Sequence, residues 1–390
     1  MIDPHEEVAP MQRMPPLVVH IVRQFSPSRG GLEDVVSNLC GQLMRQGWRV
    51  RVVTLDRLFR NPAVHLPASE MIGGIEVVRI PWRGSSRYPL APAVLNHIAD
   101  ADLVHVHAID FFYDFVALTR FMHRKPLLAT THGGFFHTPK YARLKTLWFH
   151  TATRLSGLAY DALIACSQSD AAMFRQIAGS RLRLIENGVD IEKYADASSS
   201  KPTRRLVTVG RFSDNKRLDR LLDVLADLRS RCSDWQLDII GTPSDLSTDA
   251  LRAMIDQRAL FEAATIHVGV DEDEVREIFG RASLFISASE YEGFGLVAVE
   301  AMSAGLIPVL HHNAAYQALA ARHRCIAVTD FARPAEGAAA IEAALARLQS
   351  NPLMRDEAKA AAGGYGWARV REAHMSLYRD VLQSRKPRTL

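Results

Sequence analysis

Ser287-Ala288-Ser289-Glu290-Tyr291-Glu292-Gly293-Phe294-Gly295-Leu296-Val297-Ala298-Val299-Glu300-Ala301-Met302 is the stretch around which the rest of the sequence is read. The apolar, β-leaning run 284–286 enters a small polar turn, and the chain leaves that turn as a helix whose apolar members repeat at three and four residues. Such a loop turns free backbone N–H groups and the positive end of a helix dipole toward whatever lies above the strand ends, which favours an anion such as a diphosphate. Gly293 and Gly295 allow the backbone to come close. Glu292 falls just before the helix and Glu300 about one and a half turns inside it, so both edge one cleft at different depths. Two acceptors beside an anion site suit a polyol. A plainer reading also fits the spacing: Glu292 as a helix cap and Glu300 on a solvated face.

With 390 residues, 48% hydrophobic and 23% charged, the chain has the size of two domains and the composition of a globular protein with a real core. Cys40, Cys166, Cys232 and Cys325 are far apart, without the paired spacing of a zinc site or a redox dithiol, and this points to a reducing, cytosolic setting. No run approaches the length of a membrane span, and residues 1–16 lack a basic start followed by an apolar block, so the chain is expected not to be exported. The formal net charge is +4, and between Arg120 and Arg183 ten Lys and Arg face only Asp161 and Asp170. That local excess calls for an anionic partner.

Residues 17–22 read as a first strand, followed by Arg29-Gly30-Gly31 and a helix with Val35, Val36, Leu39, Leu43 and Met44 on one face. The glycine spacing does not match the dinucleotide fingerprint, and Asp56 is only a near miss for a ribose-binding acid. Further strands are expected at 75–80, 103–107, 126–131, 162–167 and 182–185, with helices between most of them. That alternation implies a parallel sheet wrapped by helices, with ligands gathering outside the carboxyl ends of the strands. At those ends stand His107 and Asp110, Thr131-His132-Gly133-Gly134, Ser167 and Asn187-Gly188-Val189-Asp190. A lone histidine is more often structural, but His132 leaves a strand end into a double-glycine turn, where catalysis is an equal reading.

From Pro139, a helix is expected with Leu144, Leu147, Trp148, Thr151, Leu155 and Leu158 on one face and Lys140, Arg143, Lys145 and Arg154 elsewhere. The pattern resembles a membrane-surface helix; a core helix with a solvated basic face is the alternative. Ser198-Ser199-Ser200-Lys201-Pro202 looks like a linker, placing domains at 1–195 and 196–366. A second alternating pattern then begins, with strands at 205–209, 236–240, 265–268, 284–287 and 307–310. Arg211 and Lys216 flank the first strand-to-helix turn, where a guanidinium can grip a diphosphate and an ammonium adds a point charge. A last helix, within 367–390, is expected to pack back across both domains.

Glu292 and Glu300, with seven residues between them that begin Gly293-Phe294-Gly295-Leu296, resemble the signature of retaining glycosyltransferases of family 4. The early Gly30-Gly31 loop, His132, Asn187-Gly188-Val189-Asp190, and Gly210-Arg211-Phe212 with Lys216 stand in that family's order. The resemblance implies an α/β protein of GT-B type, two Rossmann-like doubly wound domains facing a central cleft. It implies Arg211 and Lys216 on the donor diphosphate, backbone donors from Phe294, Gly295 and Leu296, and Glu300 on the ribose. Glu292 is then expected on hydroxyls of the transferred sugar, His132 by the reacting centre, Gly30 and Gly31 on the phosphate side, and Ser167 and Asn187 with the donor site. The family requires no divalent ion, so no cofactor or metal is expected.

Within the family the chain resembles the bacterial α-mannosyltransferases of acetan- and xanthan-type exopolysaccharide assembly. That likeness implies GDP-mannose as donor, a polyprenyl-diphosphate-linked cellobiose as acceptor, and a peripheral place at the inner face of the plasma membrane. Lys140, Arg143, Lys145 and Trp148 are then expected to meet the anionic membrane surface or the acceptor. Two departures bear on sugar and acceptor. Where many relatives continue with Gly-Gly and a glutamate, this chain has His311-His312-Asn313-Ala314-Ala315, and Glu186 stands where they often have proline. A family member using a UDP-sugar or a soluble acceptor, a sugar-nucleotide epimerase and a non-catalytic nucleotide-sugar sensor are the alternatives. No nucleic-acid module is recognisable.

Overall fold

The computed structural model describes residues 14–28, 30–133 and 146–384. Residues 14–129, 155–162 and 377–384 of these fall in one compact unit, and 130–154 with 163–376 in a second.

In the first unit, near-continuous Val, Ile and Leu runs form strands buried on both faces, as expected where helices cover a parallel sheet. They run in the spatial order Ile75–Ile80, Arg49–Leu55, Leu17–Ile21, Leu103–His107, Leu127–Thr130. In sequence terms that is 3-2-1-4-5, the doubly wound order. Ser69–Ile72 adds an antiparallel edge strand to Ile75–Ile80. Arg57–Leu58 pairs with Asn61–His65 and Arg83–Ser85 with Tyr88–Leu90, two short hairpins that the sequence reading did not include. Beneath the strands lies a row of buried imidazoles: His20 Nδ1 is 3.0 Å from His107 Nε2, and His105 Nδ1 is 2.6 Å from the Tyr378 hydroxyl.

Ala162–Ala165, in the second unit from Leu163 onward, pairs in parallel with Leu182–Leu184. Six further strands form a wholly parallel sheet in the order Ala264–Val268, Gln236–Gly241, Arg205–Val209, Leu284–Ser287, Ile307–His311, Ala327–Thr329. This is again 3-2-1-4-5-6, so the order reverses between Arg205–Val209 and Leu284–Ser287. The loops leaving those two neighbours stand at the position where such folds bind ligands. The helix Leu218–Arg231 covers the sheet with Leu218, Leu221, Leu222, Val224, Leu225 and Leu228, all buried. Among the described residues no helix is long and apolar enough to cross a membrane. The four cysteines are free, with Cys40, Cys166 and Cys325 buried.

Candidate active site

The two loops at the reversal point are stitched together by one side chain. Asn215 Oδ1 accepts from Tyr291 N at 3.0 Å, Asn215 Nδ2 donates to the Tyr291 carbonyl at 2.9 Å, and Glu290 N donates to the Asn215 carbonyl at 3.0 Å. Arg217 and Arg220 both reach Glu290 Oε1, each at 2.7 Å. The loop 288–295 is thereby fixed over the turn Asp214–Lys216. Lys216 Nζ lies 2.6 Å from Glu292 Oε1, and both side chains are about four-fifths shielded, at 21% and 17% exposure. Such partial shielding strengthens the attraction beyond that of a surface pair, at the cost of desolvating both groups. The Tyr316 hydroxyl donates to the same Oε1 at 3.3 Å.

The helix Leu296–Ser303 starts from Gly295, at φ +93°, and no side chain caps it. The cap reading of Glu292 is thus excluded, because its carboxylate is taken by Lys216 and Tyr316. Backbone N–H groups at an uncapped helix start are available to an anion. Phe294 is buried with its ring 5.5 Å from that of Tyr365, so only its backbone can serve a ligand. Arg211 is exposed at the end of its strand, with Asp245 as an electrostatic neighbour. Glu300 lies by Lys193 and Tyr194, and Lys193 also pairs with Glu272 at 3.0 Å.

His132 follows the strand Leu127–Thr130 in a turn with positive φ at both His132 (+47°) and Gly133 (+81°). Left-handed backbone costs a non-glycine residue energy, so something must hold it. Asp170, 2% exposed, is that anchor: it accepts from the Thr131 hydroxyl, from Cys166 N at 3.2 Å and from Gly133 N. Burial keeps the Asp170 pKa above the usual carboxylate range despite these donors. Enclosure also pushes the His132 pKa down to about 3, with nearby His374 adding to the effect. His374 is lowered to about 4 by its own burial. His132 is therefore a neutral imidazole at physiological pH, a hydrogen-bonding group and not a fixed positive charge.

Ser167 caps the helix Gln168–Ala178 by accepting from Asp170 N at 3.2 Å. With Phe294, Glu186, Leu319 and Arg322 it lines a small cleft. Glu186 is paired there with Arg322 at 2.9 Å, which gives the residue standing in place of a proline a local role. Asn187 lies on the Cys166 carbonyl through its backbone N–H, at 3.4 Å. A Cβ at Gly188 would sit 2.5 Å from Trp367, so only glycine fits between Asn187 and the start of the last helix. The second unit thus holds His132, Ser167, Asn187, Arg211, Lys216, Glu292, Phe294, Gly295, Leu296 and Glu300. Gly30 and Gly31 open the helix Gly31–Met44 of the first unit.

Comparison with known proteins agrees with this geometry. The model described as Glycosyltransferase Family 4 matches residues 29–193, and that described as Glycosyl transferases group 1 matches 190–363. The GDP-mannose:cellobiosyl-diphosphopolyprenol alpha-mannosyltransferase of Komagataeibacter xylinus is 43% identical over 367 residues, covering 94% of this chain and 93% of that protein. The chain belongs to glycosyltransferase family 4. The enzyme of the same name from Xanthomonas campestris is 47% identical over 295 residues, covering 75% of this chain and 78% of that one. Among solved structures, sucrose-phosphate synthase from Thermosynechococcus elongatus (TM-score 0.74, 18% identity, 95% and 100% coverage) shares the fold. So does Anabaena HepE in complex with UDP and glucose (TM-score 0.73, 19% identity, 94% and 100% coverage). This glycosyltransferase accordingly has the GT-B fold of two Rossmann-like α/β domains, as the sequence implied.

Two side chains of the candidate site escaped the sequence reading. Asp170 carried a signal, since Ser167-x-x-Asp170 has capping-box spacing; Tyr316 carried none. Lys140, Arg143 and Lys145 lie outside the described residues, whereas Trp148 is 46% exposed. The helical run 146–157 turns Phe149, Thr153 and Gly157 inward and leaves Leu147, Trp148, Thr151 and Leu155 exposed. The amphipathic face is therefore real, but it faces water. In the first unit Ser156 Oγ bonds Asp114 at 2.6 Å, Tyr160 stacks on Tyr113 at 4.6 Å and Arg120 grips Asp161. Leu155 and Leu158 (70% and 62% exposed) and Leu118, Phe121 and Met122 (75%, 75% and 63%) are open on the two segments that these contacts join.

Proposed function

We propose that this family 4 enzyme is a retaining α-mannosyltransferase. It moves mannose from GDP-mannose to the cellobiose of a polyprenyl-diphosphate-linked acceptor, forming an α-1,3 linkage during assembly of an exopolysaccharide repeat unit. The observation that carries the reading is 43% identity over 94% of this chain to the Komagataeibacter xylinus enzyme whose name states that donor and acceptor.

The site chemistry supports the reading. Lys216, Arg211 and the N–H groups at the start of Leu296–Ser303 supply positive charge for the departing diphosphate, so stabilisation of the leaving group is electrostatic and independent of a metal. Glu300 takes the ribose. Glu292, its Oε1 held by Lys216, takes hydroxyls of the sugar. As the C1–O bond to GDP breaks, the acceptor hydroxyl attacks the same face and its proton passes to the departing phosphate oxygen. Neutral His132 beside C1 hydrogen-bonds the sugar without adding a charge that would oppose the oxocarbenium-like state.

The enzyme works at the inner face of the plasma membrane, held by an apolar platform of the exposed Leu118, Phe121, Met122, Leu155 and Leu158, with Arg120, Arg124, Lys125 and Arg154 next to them in the sequence. Exposed apolar side chains flanked by bases, on a protein whose acceptor is a lipid, are what an anionic bilayer surface attracts. Nucleotide release from GDP-mannose and from UDP-glucose, each with cellobiosyl-diphosphate lipid, tests the donor. GDP release that depends on the lipid is expected; release from UDP-glucose alone overturns the reading.

A further inference from the structure

The segment His311-His312-Asn313-Ala314-Ala315 leads directly into the helix Ala314–Ala320 and so delivers Tyr316 beneath the glutamate loop. Asn313 caps that helix, its Oδ1 accepting from Tyr316 N at 3.0 Å, while its Nδ2 donates to the Ser289 carbonyl at 2.8 Å. The helix start and the loop are thus one rigid body. Tyr316 is 2% exposed. Its hydroxyl lies 3.0 Å from Ser287 Oγ and donates to Glu292 Oε1 at 3.3 Å. Burial first, and the Glu292 charge second, hold the Tyr316 pKa well above the usual phenol value, so the hydroxyl remains a donor throughout the working range.

Two consequences follow from where these atoms lie. Lys216 Nζ and the Tyr316 hydroxyl both end on Oε1 of Glu292, so the carboxylate is fixed in rotation and Oε2 is the oxygen that neither engages. The Tyr316 ring also lies directly against Gly295, where a Cβ would come within 2.9 Å of Cε1. Gly295, at φ +93°, is the residue from which the phosphate-facing helix Leu296–Ser303 starts. One side chain therefore supports both the sugar-side carboxylate and the phosphate-side turn.

We infer that Tyr316 is the positioning residue of the donor-sugar subsite: its hydroxyl orients the Glu292 carboxylate and its ring sets the Gly295 turn, so that the enzyme distinguishes mannose from epimeric hexoses carried on the same nucleotide. The inference rests on the reading of Glu292 as a contact to sugar hydroxyls. A carboxylate held by Lys216 alone swings about one bond, and a swinging acceptor tolerates hydroxyls in more than one orientation. A hydrogen bond to a charged group is lost with the hydroxyl, while the ring and its packing remain.

The experiment compares wild type, Tyr316→Phe, Glu292→Gln and the double variant in lipid-acceptor transfer assays with GDP-mannose and GDP-glucose, alongside thermal melting. Tyr316→Phe is expected to fold as wild type, to lower kcat with GDP-mannose about 10- to 100-fold with little change in KM, and to lower the preference for GDP-mannose over GDP-glucose. On the residual turnover of Glu292→Gln, adding Tyr316→Phe is expected to cost little more, because the tyrosine acts through that carboxylate. If Glu292→Gln transfers mannose as wild type does, the reading of Glu292 itself fails. If Glu292→Gln is impaired while Tyr316→Phe keeps wild-type kcat and donor preference, the role of Tyr316 is overturned. Losses that multiply in the double variant overturn it as well, since they describe general loosening and not positioning.

Discussion

Replacing Phe121, Leu155 and Leu158 together by serine tests whether the apolar platform is a membrane surface. The three side chains are 75%, 70% and 62% exposed, so their removal takes away almost no packing. Surface changes of this kind usually move stability by about 0.5 kcal/mol or less. Full burial of a Leu or Phe side chain is worth about 1.5–3 kcal/mol. Scaled by the exposed fraction, and with about half of that area entering the headgroup boundary, each residue contributes about 0.5–1 kcal/mol to binding. The triple variant then loses about 1.5–3 kcal/mol, a fall of about 10- to 150-fold in partitioning onto vesicles. Flotation with phosphatidylglycerol-containing vesicles reads this directly, and repetition at high salt separates the two forces. Neutralising Lys140, Arg143 and Lys145 is expected to weaken binding at low salt only, whereas the serine variant is weakened at both. A serine variant that melts and floats as wild type does refutes the platform.

Two further perturbations address the chemistry. Lys216→Met removes the ammonium 2.6 Å from Glu292 and is expected to lower kcat about 100- to 1,000-fold, the usual cost of one stabiliser of a developing anion; transfer within a few-fold of wild type removes Lys216 from the donor diphosphate. His132 has a folded pKa of about 3 against 6.5 when unperturbed, so its ring nitrogens are expected to keep neutral ¹⁵N shifts from pH 8 down to pH 5. The sign follows from linkage: the unfolded chain takes up the proton below about pH 6.5 and the folded one does not, so this contribution to stability is complete above 6.5 and falls as the pH drops toward 3. A titration of His132 centred near 6.5 contradicts the enclosed site.

The parallel strands were legible because a strand buried on both faces is a near-continuous apolar run, as at Ala162–Ala165 and Leu284–Ser287. The short antiparallel pieces were not, because Asn61–His65 is exposed throughout and has no buried face to write an alternating pattern. For the helix after Pro139, periodicity gave the apolar face but not its surroundings, since the same spacing serves a core and a bilayer. The structure leaves Leu147, Trp148 and Leu155 exposed, so that part of the face is not packed into a core. At the site, Lys216 and Glu292 were legible as motif residues, and the sheet order explains their meeting: their strands are neighbours at the reversal point. Asp170 and Tyr316 act across 39 and 24 residues of chain, and nothing in local spacing marks a bond made over that distance. Glu292 as cap or ligand group was undecidable from sequence, and became decidable once Gly295 was seen to start the helix uncapped.

The central claim is retaining mannosyl transfer from GDP-mannose to a lipid-linked cellobiose. The most direct test incubates the enzyme with GDP-mannose and cellobiosyl-diphosphate polyprenol, releases the oligosaccharide, and assigns the new linkage by NMR. The account predicts a trisaccharide that forms only with the acceptor present, with mannose α-linked to position 3 of the terminal glucose. A β-linked product, or a nucleotide sugar altered without any acceptor, contradicts it.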